Sequence, residues 1–250
     1  MEYKSGDCVG SASYEKLGGE QKDFADTLVE LLKNTHCPLV INIDAPWGAG
    51  KTHFLKALEE KIQRDKSDKD AVCMINAWEC DHFDEPLQCI YGELSEHLGD
   101  DPDYAKAYLA GAAYSIGAGL IKTLSRGVVD IKNIQEESSK ISGKNDYPYL
   151  KAKRQLKEFK ESLRKSLIGK RVVVLVDELD RCSPAFAIKF LERLMHVFDV
   201  NGLVFVVATD NAQLEKSVIA QYGQIDARGY LIKFFSLSLR MPRPLFHDVV

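Results

Sequence analysis

Several large protein classes are excluded by what this chain has little of. Its six cysteines are Cys8, Cys37, Cys73, Cys80, Cys89 and Cys182, and no two of them make a C-x-x-C pair. Cys80 and His82 lie close together, with Cys73 and Cys89 nearby, but the spacing matches no common zinc pattern. Reduced thiols in a cytoplasm are the expected state. Basic residues are not in excess: 33 Lys and Arg stand against 37 Asp and Glu, a net charge of -4. That balance does not indicate a nucleic-acid binder. The opening "MEYKSGDCVG" has no apolar core of the kind a secretory leader needs. Long hydrophobic runs are also scarce. The best candidate, "YLAGAAYSIGAGLI" from Tyr108 to Ile121, is about 14 residues, where a spanning helix needs roughly 20.

What is present is an ordinary globular composition, 45% hydrophobic and 28% charged over 250 residues, enough to bury a core. Short apolar runs alternate with helical patterns. "PLVINIDA", "AVCMINAW", the run from Arg171 to Val176, "GLVFVVATDN" and "GYLIKFFSLSLRMP" read as five strands. Continuous apolar runs suit strands covered on both faces, which is the habit of parallel sheets. "GEQKDFADTLVELLKN" sets Phe24, Leu28, Leu31 and Leu32 on one helix face, and "THFLKALEEKIQRDK" does so with Phe54, Leu55, Leu58 and Ile62. "PAFAIKFLERLMHVF" and "AQLEKSVIAQYG" are helical patterns between the last three strands. The interval from Trp78 to Arg171 is about 90 residues, too long for a simple crossover. It holds a helical "DEPLQCIYGELSEHLG", the small-residue stretch above, a polar linker "IQEESSKISGKNDYP", and a basic helix from Lys151 to Lys170. The apolar stripe of that helix is Leu156, Phe159, Leu163 and Leu167, and its mixed charges read as a solvated face.

The first strand ends in Ala45-Pro46-Trp47-Gly48-Ala49-Gly50-Lys51-Thr52. This fits the phosphate-loop pattern G/A-x-x-x-x-G-K-S/T, flanked by strand and helix as the mechanism demands. Gly48 and Gly50 let the backbone approach a phosphate, the helix N-terminus offers N–H groups, Lys51 reaches the β- and γ-phosphates, and the Thr52 hydroxyl ligates Mg²⁺. Alanine at position 45 sits at the strand end before the loop closes. Asp177 ends the third strand, where an acid can hold Mg²⁺ through water. Glu178 follows it as the expected general base, with Asp180 a weaker alternative. The competing account of "DELD" is helix capping by acids. "VFVVATDN" ends in Thr209, Asp210 and Asn211. Asn211 is a candidate to orient the attacking water, and plain turn chemistry explains the same composition. The expected site is therefore Lys51, Asp177 and Glu178 for catalysis, Thr52 and Asp177 for the metal, and Ala45 through His53 with Asn211 for the nucleotide.

These residues carry a family resemblance. "PWGAGKTHFL", "INAWEC", "VVVLVDELDRCSP", "VFVVATDN" and "GYLIKFFSLSLRMPRP" resemble the KAP family of P-loop NTPases. The matching positions are Trp47 to Thr52, Asn76 to Trp78, Asp177 to Pro184, and Tyr230, Leu231 and Lys233. The resemblance implies an α/β P-loop NTPase fold with a five-stranded parallel sheet in the order 5-1-4-3-2 between helices. One domain over residues 1–250 is expected, with a helical insertion at 100–168. ATP and Mg²⁺ are the implied ligands, and no N-K-x-D-like guanine motif argues otherwise. Relatives continue beyond this point into a helical region, so a fragment lacking a C-terminal lid is one expectation.

Many relatives also carry paired transmembrane helices between the two phosphate motifs. Here Lys51 and Asp177 must meet at one nucleotide, so only zero or two crossings are allowed, and residues 132–149 are polar. No span is expected. Lys122, Arg126 and the basic helix could still face anionic lipid, so the expected location is cytoplasmic, with peripheral contact at the inner membrane face as an option. A homo-oligomer or protein partner would engage the helical insertion. Arg181 and Arg228 are candidates for an arginine finger in cis or from a neighbouring subunit. The implied function is Mg·ATP binding and slow hydrolysis driving a conformational or assembly change. The alternatives are a nucleotide-gated switch or scaffold with negligible turnover, and a membrane-associated signalling or phage-defence component.

Overall fold

In the computed structural model, residues 13–35, 38–65, 70–83, 85–98 and 148–243 are described. They fall in two compact units: Met1–Pro86 with Gly169–Val250, and Leu87–Ile168. The Tyr108–Ile121 stretch and most of the polar linker lie outside the described residues. Among the described residues, no helix is long and apolar enough to cross a membrane.

The first unit is built on five parallel strands: β1 (Leu39–Asp44), β2 (Asp70–Asn76), β3 (Arg171–Asp177), β4 (Leu203–Thr209) and β5 (Leu237–Arg240). Their spatial order is β2-β3-β4-β1-β5, the order expected. β3 and β4 are central and buried almost throughout, which is why Val172–Val176 and Leu203–Ala208 are unbroken Val, Leu, Phe and Ala with no alternation. Each Val, Leu or Phe among them contributes about 1.5–3 kcal/mol when fully buried. The helices α1 (Gly19–Lys33) and α2 (Lys51–Asp65) share one core cluster with β1, β3 and β4. On α1 the fully buried face is Ala25, Leu28, Val29 and Leu32, at i, i+3, i+4 and i+7. Phe24 and Leu31, expected on that face, pack at its margin. On α2 the expected Phe54, Leu55, Leu58 and Ile62 are all buried.

Two strand ends differ from expectation. The apolar run "AVCMINAW" does not stay extended to Trp78. The Asn76 side-chain oxygen accepts from the N–H groups of Trp78, at 3.1 Å, and Glu79, at 3.4 Å, and so starts a short helix, α3 (Ala77–Cys80). Trp78 is left half exposed. In "GYLIKFFSLSLRMP" only Leu237–Arg240 is strand. Asp226 accepts from Gly229 N–H at 2.9 Å and opens a helix over Ala227–Leu231, followed by a 3₁₀ turn at Ile232–Phe234. Apolar runs of this length do not separate strand from helix, and the caps decide.

The second unit is represented by the helices α4 (Pro86–Leu98) and α5 (Pro148–Ser166). Leu87, Ile90, Tyr91, Leu94 and Leu98 are buried on the first, Phe159 and Leu163 on the second, and Leu167 just beyond it. The Tyr91 and Phe159 rings meet edge to face at 5.1 Å. Of the stripe expected on the basic helix, Leu156 is the one only partly covered.

Candidate functional site

The tips of β1, β3 and β4 carry the polar residues that sequence reasoning singled out. Ala45 leaves β1 with its N–H donated to the Thr209 carbonyl at 2.9 Å, which ties the start of the loop to the end of β4. The loop then turns through Gly48 at φ 80° and Gly50 at φ 85°, both in the left-handed region where a Cβ is disfavoured. Phe54 N–H bonds the Gly50 carbonyl at 2.9 Å, and the helix begins at Lys51. The first-turn N–H groups of α2 have no partner within the helix and face the loop end, where the helix dipole favours an anion. Thr52 is exposed in that first turn, and His53 is partly covered.

Lys51 does not extend into solvent. Its ammonium is buried and donates to the Ala45 carbonyl at 3.0 Å and to Asp180 Oδ2 at 3.3 Å. Ala45 is itself 2% exposed and packs in the core cluster, so a methyl group is accommodated at that position.

Asp177 ends β3, is buried, and accepts the N–H of Glu178 on Oδ1 at 2.9 Å. Glu178 sits at φ 59°, ψ 22°, the one non-glycine residue with positive φ among the described residues. Such a conformation costs about 1–2 kcal/mol, and residues held this way cluster at functional sites. Next, a 3₁₀ turn over Leu179–Arg181 brings Arg181 back to Glu178, with 2.9 Å between the guanidinium and the carboxylate. The Cys182 thiol donates to the Glu178 carbonyl at 3.6 Å.

The same turn buries Asp180. Its Oδ2 accepts from Trp47 Nε1 at 2.8 Å and the Asp210 N–H at 2.9 Å, besides Lys51. Asp180 was expected as an alternative general base. Its position argues against that, because its side chain is 1% exposed and one of its oxygens already holds three donors inside the protein. Its partners were not foreseen, since spacing alone does not tell which way a 3₁₀ turn aims its side chain.

Asp210 caps the helix Asn211–Tyr222, α7 when α6 is Pro184–His196. Its Oδ1 accepts from the Ala212 N–H at 3.1 Å, and its Oδ2 accepts from the Trp47 N–H at 3.2 Å. The turn-and-cap account of "TDN" therefore holds for Asp210. Asn211 faces a second network. Its side-chain oxygen accepts from Asn42 Nδ2 at 2.8 Å and Thr209 Oγ1 at 3.1 Å, while its N–H reaches Asp44 Oδ1 at 3.0 Å. Thr209 Oγ1 also donates to Asn42 Oδ1, and Asn42 Nδ2 to Ser238 Oγ. Asn42 lies within the apolar run of β1 and is not among the expected site residues. A polar residue at the centre of "VINID" was the available signal.

On the other side of the Asp177 tip, Asp81 accepts both the N–H and the hydroxyl of Ser183, at 2.9 and 2.8 Å, fixing the entry to α6. Arg228 is exposed on the short helix after Asp226.

The donor set suits a phosphate-bound Mg²⁺. Thr52 would supply a hydroxyl and Asp177 a carboxylate, and Mg²⁺ characteristically takes one or two protein oxygens, keeps several waters, and leaves the rest to phosphate. The loop glycines and buried cation fit the phosphates themselves.

Comparison with known proteins bears on the fold. The profile of the KAP family P-loop domain matches residues 21–249. No curated protein matches the chain. Among solved structures, PCH-2 of C. elegans is 13% identical with TM-score 0.41, over 97% of this chain and 49% of that one. The ORC2 protein of Aeropyrum pernix is 11% identical with TM-score 0.46, over 90% of this chain and 49% of that one. Domain III of the Thermotoga maritima replication initiation protein DnaA is 13% identical with TM-score 0.40, over 96% and 70%. The chain thus spans about half the length of the first two. With the family profile covering almost all of it, and with the loop, strand order and strand-tip acids described above, the chain belongs to the KAP family of P-loop domains.

Proposed function

We propose that this chain binds Mg·ATP on the Ala45–Thr52 loop and hydrolyses it slowly, to drive a conformational or assembly change. The observation that carries the reading is the loop of left-handed Gly48 and Gly50 leading into a helix whose first residue is a buried lysine, with Asp177 and a strained Glu178 at the tip of β3. In this reading the loop N–H groups and Lys51 bind the β- and γ-phosphates, with Ala45 to His53 lining the nucleotide. Thr52 and Asp177 would hold Mg²⁺, which would neutralise charge on the phosphate oxygens. Glu178 accepts a proton from water as the water oxygen bonds the γ-phosphorus and the bond to ADP breaks. Asn211 is the candidate to orient that water.

The Arg181 guanidinium favours a second reading, a nucleotide-gated switch with little turnover. It holds Glu178 at 2.9 Å, so the base is engaged until something draws the arginine away. A second copy or a protein partner acting through the insertion, or contact with anionic lipid, would be the source of such a signal.

The test is phosphate release from Mg·ATP by the wild-type chain, Lys51→Ala and Glu178→Gln, with nucleotide binding measured on all three. The enzyme reading expects turnover lost in both variants and binding kept in Glu178→Gln. Tight binding without turnover in the wild type supports the switch. No binding by the wild type refutes both.

A further inference from the structure

A single carboxylate oxygen in the site serves three segments. Asp180 Oδ2 receives Lys51 from α2, the Trp47 indole from the loop, and the Asp210 N–H from the tip of β4. The Asp180 side chain is 1% exposed and that of Lys51 9%. Neither group has water to fall back on, so the ammonium and carboxylate hold each other strongly. Lys51 has three N–H groups, and two are committed, to Asp180 and to the Ala45 carbonyl.

A phosphate that needs Lys51 must therefore compete with an acid already in place. When the lysine leaves, the same oxygen keeps two neutral donors, the Trp47 indole and the Asp210 N–H. Those donors are themselves anchored, because Asp210 Oδ2 holds the Trp47 N–H and Asp210 Oδ1 caps α7. The carboxylate is neither stranded nor free to follow the lysine.

We infer that Asp180 is an internal competitor for phosphate: it holds Lys51, sets the nucleotide affinity, and is kept in position by Trp47 and Asp210 while Lys51 is handed over. This deepens the nucleotide reading above and rests on it. A lysine that is free of Asp180 about a tenth of the time weakens apparent affinity about tenfold, and removing the competitor restores it.

The experiment titrates the full chain with Mg²⁺ and a non-hydrolysable ATP analogue, using wild type, Asp180→Asn, Lys51→Ala and the double variant. Asparagine keeps an oxygen for Trp47 and Asp210 but offers no charge to Lys51. The expected result is binding about tenfold tighter in Asp180→Asn, with no such gain when Lys51 is already alanine. A residue that merely supported the loop would weaken binding on substitution. The wild-type chain supplies a second measurement that needs no change at Asp180. The Trp47 indole N–H resonance, assigned with Trp78→Phe, moves on nucleotide addition as the neighbouring carboxylate loses its cation. Wild-type binding with unchanged or weaker affinity in a folded Asp180→Asn overturns this inference alone, as does an unmoved Trp47 resonance at saturation. A wild type that binds no nucleotide overturns the nucleotide reading and this inference together.

Discussion

Asn42 is fully buried in the middle of β1, and its side chain joins three strands. Its oxygen accepts from Thr209 on β4 at 2.8 Å, and its amide donates to Asn211 at 2.8 Å and to Ser238 on β5 at 3.1 Å. Replacing it with leucine, similar in size and apolar, removes all three bonds. At about 1 kcal/mol net per bond the gross loss is about 3 kcal/mol. Ser238 is exposed and recovers a bond to water, while Thr209 and Asn211 keep each other at 3.1 Å. The expected net loss for Asn42→Leu is therefore about 2 kcal/mol. Asn42→Asp should be worse at neutral pH. It keeps the acceptor for Thr209 but turns a charged oxygen toward the Asn211 oxygen, in a site with no cation among its bonded partners, and costs about 4 kcal/mol. Burial raises the folded-state pKa of that new acid. Its penalty is absent below the unfolded value of about 3.9 and grows as pH rises from there until the folded group ionises. The assay is urea unfolding followed by tryptophan fluorescence. Trp47 and Trp78 both lie in the sheet-bearing unit, so the signal reports that unit. A folded Asn42→Leu within about 0.5 kcal/mol of wild type, or an Asn42→Asp no less stable than Asn42→Leu at pH 7, would refute the bonding argument.

Three other outcomes are expected. Glu85 binds Lys189 at 2.9 Å and Arg193 at 2.9 and 3.2 Å; burial pushes its carboxyl up, but the arginine and lysine outweigh it and its pKa is lowered. Its contribution is thus full above the unfolded carboxyl value of 4.5 and is lost as pH falls through the lower folded value, while Glu85→Gln costs about 2 kcal/mol at pH 7 and flattens this acid limb in unfolding titrations. Gly50→Ala finds no atom within 4 Å of the new Cβ but inherits φ 85°, so it should cost about 1–2 kcal/mol in thermal unfolding and abolish nucleotide binding far beyond that stability loss. Asn76→Ala removes the cap of α3 and should cost about 1 kcal/mol, measured by the same unfolding assay, with Asn76→Asp recovering most of it.

Much of the fold was legible because its signals are local. The glycines of the loop announce a backbone that must turn left-handed, whatever surrounds it. The unbroken apolar runs of β3 and β4 announce burial on both faces. The β1 loop, the order of strands and helices, and the acid at the β3 tip follow from such patterns taken with the family resemblance. Strand ends were less legible. Asn76 and Asp226 stop or delay strands through single side-chain caps, and an apolar run of seven residues carries no mark of where a cap will act.

The buried polar contacts of the site belong to tertiary structure alone. Asp180 is 129 positions from Lys51 and 133 from Trp47, and Asn42 is 167 from Thr209. No spacing rule connects residues so far apart. The amino-acid sequence by itself determined a phosphate-type loop between a buried strand and a helix, and the acids placed after β3. Only the packing of β1, β3 and β4 side by side decided which acid meets the lysine. The reason is that a parallel sheet brings strand tips from distant parts of the chain to one edge, and a single 3₁₀ turn there chooses which carboxylate points inward.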